Sequence, residues 1–201
     1  MRNKGTFWIL LGVLFIAAAV LLTGYNVQDE TRAEESSKEI LTVLVPEVEN
    51  IAEDPEDVEN IPDYQTFSDM EMPVKEVKGN EYIGVLEIVS KELVLPVMSE
   101  WSYPKLKISP CRYSGSAYKN DMIICAHNYS SHFGGLKSMV QGEQIKFTDV
   151  DGNEFLYEVA EIEILDPYAT MEITEGDWDL TLFTCTYGGR DRVTVRCILT
   201  E

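Results

Sequence analysis

The stretch from Gly5 to Gln28, GTFWILLGVLFIAAAVLLTGYNVQ, carries no charge. No other feature of the 201 residues restricts the chain so tightly. Backbone N–H and C=O groups in lipid must be satisfied internally, so a single spanning segment has to be a helix. Roughly 20 apolar residues at about 1.5 Å rise cross a hydrocarbon core of about 30 Å. Phe7 to Tyr25 is just long enough. A cleaved signal peptide is the alternative, but this run is longer than a usual h-region. Ala17 to Ala19 are also followed by Val20-Leu21-Leu22 rather than by a polar mature start. No Cys follows the run, so a lipoprotein anchor has no support. Arg2 and Lys4 precede it. Basic flanks stay inside, which predicts a single-pass protein of the cell membrane with its N-terminus cytoplasmic and its bulk extracellular. Trp8 and Tyr25 lie near the two ends, where interfacial aromatics belong.

The chain then changes character. Residues 26 to 80 hold sixteen Asp and Glu against four Lys and Arg. The stretch EVENIAEDPEDVENIPDY has no sustained periodicity and contains Pro55 and Pro62. Low hydrophobicity with high net charge leaves too little apolar surface to offset chain entropy. The expected organisation is an anchor over 1–25, an acidic and flexible spacer over 26–80, and a folded domain over 81–201. Within the spacer, AEESSKEILTVLV (33–45) is either a helix that Pro46 stops or a transient turn. The formal net charge of −19 excludes nucleic acid as a partner, because phosphate neutralisation needs clustered Lys and Arg.

From Tyr82 onward short runs rich in β-branched and aromatic residues follow one another: YIGVLEIV, LVLPVM, MIICAH, QIKFTDV, EFLYEVAEIEIL, LTLFTCTY and RVTVRCIL. Gly, Pro, Asp, Asn and Ser punctuate them. This pattern predicts a mainly β domain, a barrel or a sandwich. DVDGNEFLYEV reads as a hairpin turning at Asp151-Gly152. Only SSHFGGLKSMV and ITEGDW look helical or coiled.

Four cysteines and two histidines limit the chemistry. Cys111, Cys125, Cys185 and Cys197 could pair in three ways outside the cytoplasm, but their spacing is not that of a compact disulfide framework. Zinc is unsupported, since there is no CxxC and C-x-H at 125–127 lacks a second pair. His127 ends the run MIICAH, where a strand gives way to a loop. His132 lies within that loop, where solvent exposure is expected. Cys185 ends LTLFTC before the glycine-bearing TYGGRD. Cys197 lies inside RVTVRCIL, which reads as burial, and neither Cys111 nor Cys125 has a basic residue as an obvious activator. A reactive thiol needs an electropositive, partly open setting, and Arg190 and Arg192 stand just across the turn from Cys185. Arg196 reads as a solvated strand residue.

These residues carry a resemblance. TLFTC at 181–185 resembles the T-L-x-T-C signature of sortases, the cell-surface cysteine transpeptidases of Gram-positive bacteria. The family's arginine opens the last strand, a place that RVTVRC at 192 fits. Its histidine ends an apolar strand 55 to 65 residues before the cysteine, a place that IICAH at 127 fits. HNYSSHFGGLK is similar to the H-N-x…F-x-x-L pattern of class B members, although the segment before LTLFTC is short for the long helix usual there. Ala126 stands where the family usually has Gly. YIGVLEIVSKELVLPV is similar to the family's opening strands, and the likeness covers roughly residues 82–200.

The resemblance implies a closed sortase-type β-barrel with short helices, preceded by the transmembrane helix and the acidic linker. It implies a thioacyl mechanism with Cys185 as nucleophile and His127 as proton carrier. Arg192 donates to the oxyanion or substrate backbone, and Arg190 is its rival. The implied partners are surface proteins bearing an LPxTG-like sorting signal, with an amine acceptor from a peptidoglycan precursor or a pilin. No cofactor or metal is needed, and Glu161, Glu163 and Asp166 read as solvating charges. Two other readings stay open: an extracytoplasmic cysteine hydrolase of another type, and a non-catalytic surface β-domain with Cys185 as core.

Overall fold

The computed structural model describes residues 3–52, 63–67 and 69–200. Arg2 and the stretch 53–62 of the acidic segment lie outside the described residues. Nine strands follow in chain order: β1 (Lys75–Val77), β2 (Asn80–Ile88), β3 (Leu93–Met98), β4 (Cys111–Ser114), β5 (Met122–Cys125), β6 (Gln144–Asp149), β7 (Glu154–Leu165), β8 (Leu180–Cys185) and β9 (Arg192–Leu199). The helices are α1 (Asn3–Ala52), α2 (Asp63–Thr66), α3 (Tyr103–Leu106) and α4 (Thr170–Thr174).

Strands β2 to β9 run in the order β2-β3-β4-β5-β8-β9-β7-β6, and β6 pairs back onto β2 to close a barrel. Strand β1 adds a short hairpin to the free end of β2. Closure removes the edges that an open antiparallel sheet would expose. Alternation along each strand sends one set of side chains inward. Leu180 and Leu182 of β8, Val193, Val195 and Cys197 of β9, and Met122 and Ile124 of β5 meet Phe147, Phe155 and Tyr157 in the barrel core. Cys197 is fully buried there, as its apolar neighbours in sequence imply. The hairpin at 150–153 forms as expected, with Gly152 at φ 85° in the turn between β6 and β7.

Helix α1 differs from a solvated spacer over 26–80. It continues past Pro46 to Ala52, and its lower half packs on the outside of the barrel. Ala33, Ser37, Ile40 and Leu44 are buried, a stripe at helical spacing with acidic residues on the other faces. Ile40 and Leu44 join Val77, Tyr82, Val85, Met98, Cys111 and Cys125 in a second apolar cluster. Composition averages over all faces of a helix, so the acidic count concealed this narrow stripe. The proline costs one hydrogen bond and a local clash, about 3 kcal/mol, and so does not by itself forbid continuation. Burial of large apolar side chains at roughly 1.5–3 kcal/mol each holds the docked half in place. Leu44→Ala is therefore expected to destabilise the chain by about 2–4 kcal/mol, read as a lower urea midpoint. The first half of the same helix is apolar: Phe7 to Leu22 is exposed apart from a half-buried Leu11, within a run long enough to cross a membrane.

Candidate active site

Three strand ends meet on the outer face of the barrel. Strand β8 lies between β5 and β9. Its partner in the parallel direction is β5, with Cys125 opposite Phe183. The Ala126 N–H donates to the Phe183 carbonyl at 3.2 Å, and Thr184 Oγ1 donates to the Ala126 carbonyl at 2.8 Å. Carried on by two residues, that register brings His127 level with Cys185. On the antiparallel side Cys185 pairs directly with Arg192. His127, Cys185 and Arg192 thus form a row across three adjacent strands, on the face opposite the Leu180 and Leu182 side chains. All three are half-buried.

Each end is held by its own local structure. The loop after His127 folds back on itself, with Phe133 N–H donating to the His127 carbonyl at 3.2 Å and Gly134 N–H to the Tyr129 carbonyl at 2.8 Å. Phe133 and Leu136 drop into the barrel core, which explains the F-x-x-L spacing as a hydrophobic plug. The turn after Cys185 is closed by Thr186 N–H on the Asp191 carbonyl, 2.9 Å, and Asp191 N–H on Thr186 Oγ1, 3.0 Å. Gly188 and Gly189 sit at φ 84° and 70°, a region that suits glycine and strains other residues. That compact turn brings Arg192 back beside Cys185, while Arg190 stays exposed at its tip. The Nη1 atom of Arg192 is buried and has no hydrogen-bond partner among the described residues.

Burial, helped by the nearby Lys107 charge and opposed by Asp29, lowers the pKa of His127. The neutral imidazole is accordingly its form at pH 7. The Tyr129 ring lies 4.9 Å from the His127 ring, and the Tyr129 hydroxyl donates to Asp29 of α1 at 2.8 Å. Neither Tyr129 nor Asp29 gives a sequence signal, because they are a hundred residues apart and meet only through helix docking.

Three residues depart from expectation. His132 is not solvated: it is 1% exposed, with Nε2 at 3.4 Å from Ser37 Oγ and Nδ1 without a partner among the described residues. Phe133 pulls its neighbour under α1, which sequence could not show. Arg196 is not solvated either, at 3% exposed. It donates to Glu163 Oε2 at 3.0 Å, to Thr181 Oγ1 at 3.1 Å and to the Ile173 carbonyl at 2.8 Å, and a further bond reaches the Glu172 carbonyl. It pins α4 over β8 and β9, on the face that carries Cys185. A strand residue facing outward is solvated only if nothing covers that face, and here α4 does. Glu163, expected as a solvating charge, is accordingly the ion-pair partner of Arg196.

Burial pushes the His132 pKa down to about 4 from 6.5, with the His127 charge acting in the same direction and Glu30 against it. Between those two values the unfolded chain binds more protons than the folded one. Stability is therefore full above about pH 6.5 and falls by up to about 3 kcal/mol as the pH drops to about 4. His132→Gln is expected to flatten that part of the acid dependence in thermal melts at pH 7 and pH 4.5.

The remaining cysteines are buried free thiols. Cys111 and Cys125 face each other across β4 and β5. Burial pushes the Cys111 and Cys197 thiols up to about 12 and raises that of Cys125 as well. Among the described residues no His, Cys, Asp and Glu group is arranged to hold a metal ion.

The model of the sortase domain matches residues 86–200, more than half of the chain. Solved structures share the fold. Sortase C of Streptococcus pneumoniae is 20% identical with a TM-score of 0.59, over 80% of this chain and 97% of that one. A sortase D5 transpeptidase of Clostridium perfringens is 18% identical with a TM-score of 0.57, over 85% and 99%. Sortase A of Corynebacterium diphtheriae is 19% identical with a TM-score of 0.55, over 92% and 96%. Among curated proteins none matches the chain. The closed barrel agrees with those structures, and the family model spans nearly all of the barrel from within β2 to the end of β9: the chain belongs to the sortase family.

Proposed function

We propose that the chain is a membrane-anchored cysteine transpeptidase in which Cys185 is the nucleophile, His127 the proton carrier and Arg192 the oxyanion donor. The Cys185 sulfur attacks a backbone carbonyl of an LPxTG-like sorting signal in a surface protein. The C–N bond breaks, His127 delivers a proton to the departing amine, and a thioester remains on Cys185. An amine of a peptidoglycan precursor or a pilin then attacks the thioester, gives up a proton to His127 and releases the thiol. Two of the solved relatives are a pilin-acting sortase C and a transpeptidase by name, which is what favours these substrate classes.

The observation that carries the reading is the buried, unpartnered Nη1 of Arg192 beside Cys185. Buried donors are nearly always paired, so an orphan at a half-open site suits a ligand oxygen. His127 enters neutral, able to take the thiol proton and return it.

The domain organisation follows the same reading. Residues 1–25 anchor the chain in the cell membrane with the N-terminus cytoplasmic, the acidic segment 26–80 joins anchor to barrel, and residues 81–201 act outside. The test is a fluorogenic LPxTG-like peptide library, offered to the chain with and without an amine acceptor. Transfer products support the proposal. Released acid without transfer points to a hydrolase, and no turnover of any peptide to a non-catalytic β-domain.

A further inference from the structure

The uncharged part of α1 meets the barrel at its catalytic end. Lys107, in the connection between α3 and β4, lies 6.0 Å from the centre of the Tyr25 ring and 3.1 Å from Asp29 Oδ2. The Tyr129 hydroxyl donates to that same Asp29 oxygen. The Ser130 N–H donates to Glu30 Oε1 at 2.7 Å. Asn26, Asp29 and Glu30 share a cleft of about 450 Å³ with Asn128, Tyr129, Tyr187 and Gly188. The loop that leaves His127 and the turn that leaves Cys185 therefore both sit against the first turns of α1 beyond its uncharged run. The opposite end of the barrel lies further along the helix. Ten residues past Asp29, or about 15 Å, Glu39 pairs with Lys78 of the β1–β2 turn.

Elementary lengths place this end at the bilayer. If Tyr25 marks the hydrocarbon boundary, Asp29 is about 6 Å further on. The polar layer on each side of the core is about 5–7 Å thick. Tyr187 is 96% exposed, and the two glycines after it have no atom nearby that a side chain there would meet. Nothing in the barrel packs on its ring. A fully exposed tyrosine beside a helix that leaves an apolar run has an apolar body and a polar tip, the form suited to an interface. Arg190 in the same turn is exposed, Lys107 pairs with Asp29 and Glu30 accepts from Ser130, so the acidic side chains where α1 leaves its uncharged run are paired or hydrogen-bonded.

We propose that the catalytic end of the barrel rests on the lipid–water interface, with the Tyr187 side chain in the headgroup layer, so that Cys185 opens onto the membrane surface rather than onto bulk solvent. This rests on the reading of α1 as membrane-spanning. A donor or acceptor held at the bilayer then reaches the thiol from the side.

The test uses the full chain in phosphatidylcholine–phosphatidylglycerol vesicles. The Cys185→Ser background leaves only buried thiols, and one of Tyr187→Cys, Lys119→Cys or Leu14→Cys carries a bimane label. Lys119 is exposed at the far end of β5. The Tyr187 label is expected to be quenched several-fold more by headgroup-nitroxide lipid than the Lys119 label, and to be shielded from iodide. The Leu14 label is expected to respond to a deep nitroxide. Equal quenching at Tyr187 and Lys119, with Leu14 quenched, overturns the interfacial placement and leaves the anchor standing. An unquenched Leu14 label overturns the anchor and this proposal together.

Discussion

Cys185→Ala is expected to abolish transfer and cleavage together, with the barrel unchanged by circular dichroism and thermal melting. The side chain ends β8 on the outer face and is half-exposed, so removing its sulfur leaves no core cavity. Its three rivals are buried, with pKa values pushed up by burial, and cannot stand in as thiolates at neutral pH. A covalent route with no nucleophile has no residual branch, so the loss reaches the assay limit rather than the roughly 10²–10⁴-fold expected for a missing proton carrier. A variant that retains turnover would sink the role given to Cys185. Trapping makes the same point positively: with no acceptor amine, the wild-type chain should gain the mass of the acyl fragment, and the variant should not.

Arg192→Ala is expected to lower kcat/KM by about 10²–10³-fold, the range for a lost oxyanion donor. Arg190→Ala should change it less than threefold. Only Asp191 separates them, and the sequence leaves them as rivals. Their surroundings are opposite. Arg192 pairs with Cys185 across the ladder and buries a guanidinium nitrogen with no partner. Arg190 is exposed at the tip of the glycine turn. Arg192→Lys should recover only part of the loss, because an ammonium cannot reproduce the planar fork of the guanidinium. Equal effects at both positions would mean that the turn as a whole, and not one donor, supports the reaction.

Much of the barrel is legible from period-two alternation. Seven strand-like runs become β2, β3, β5, β6, β7, β8 and β9. The short β1 and β4 are not legible, since three or four residues carry too little alternation to register. The candidate row was partly legible. His127 and Cys185 stand out because each ends an apolar run at a loop. Their alignment depends on β5 and β8 being parallel neighbours, although Cys125 and Phe183 lie 58 positions apart, and no local pattern encodes that pairing. His132 and Arg196 depart from the sequence expectation for one reason. Both looked solvated in one dimension and are covered in three, by α1 and by α4.

The sequence alone determined what local chemistry fixes: an uncharged run that must be a helix if it enters lipid, a chain of short strands, and a small set of thiols and imidazoles. Tertiary structure decided what depends on contacts distant in sequence. It turned part of an acidic segment into a docked helix, because the few apolar positions on one face outweigh the average composition once a barrel wall is there to receive them. It also separated Arg192 from Arg190, because burial beside Cys185 is a property of the ladder and the turn, not of either residue.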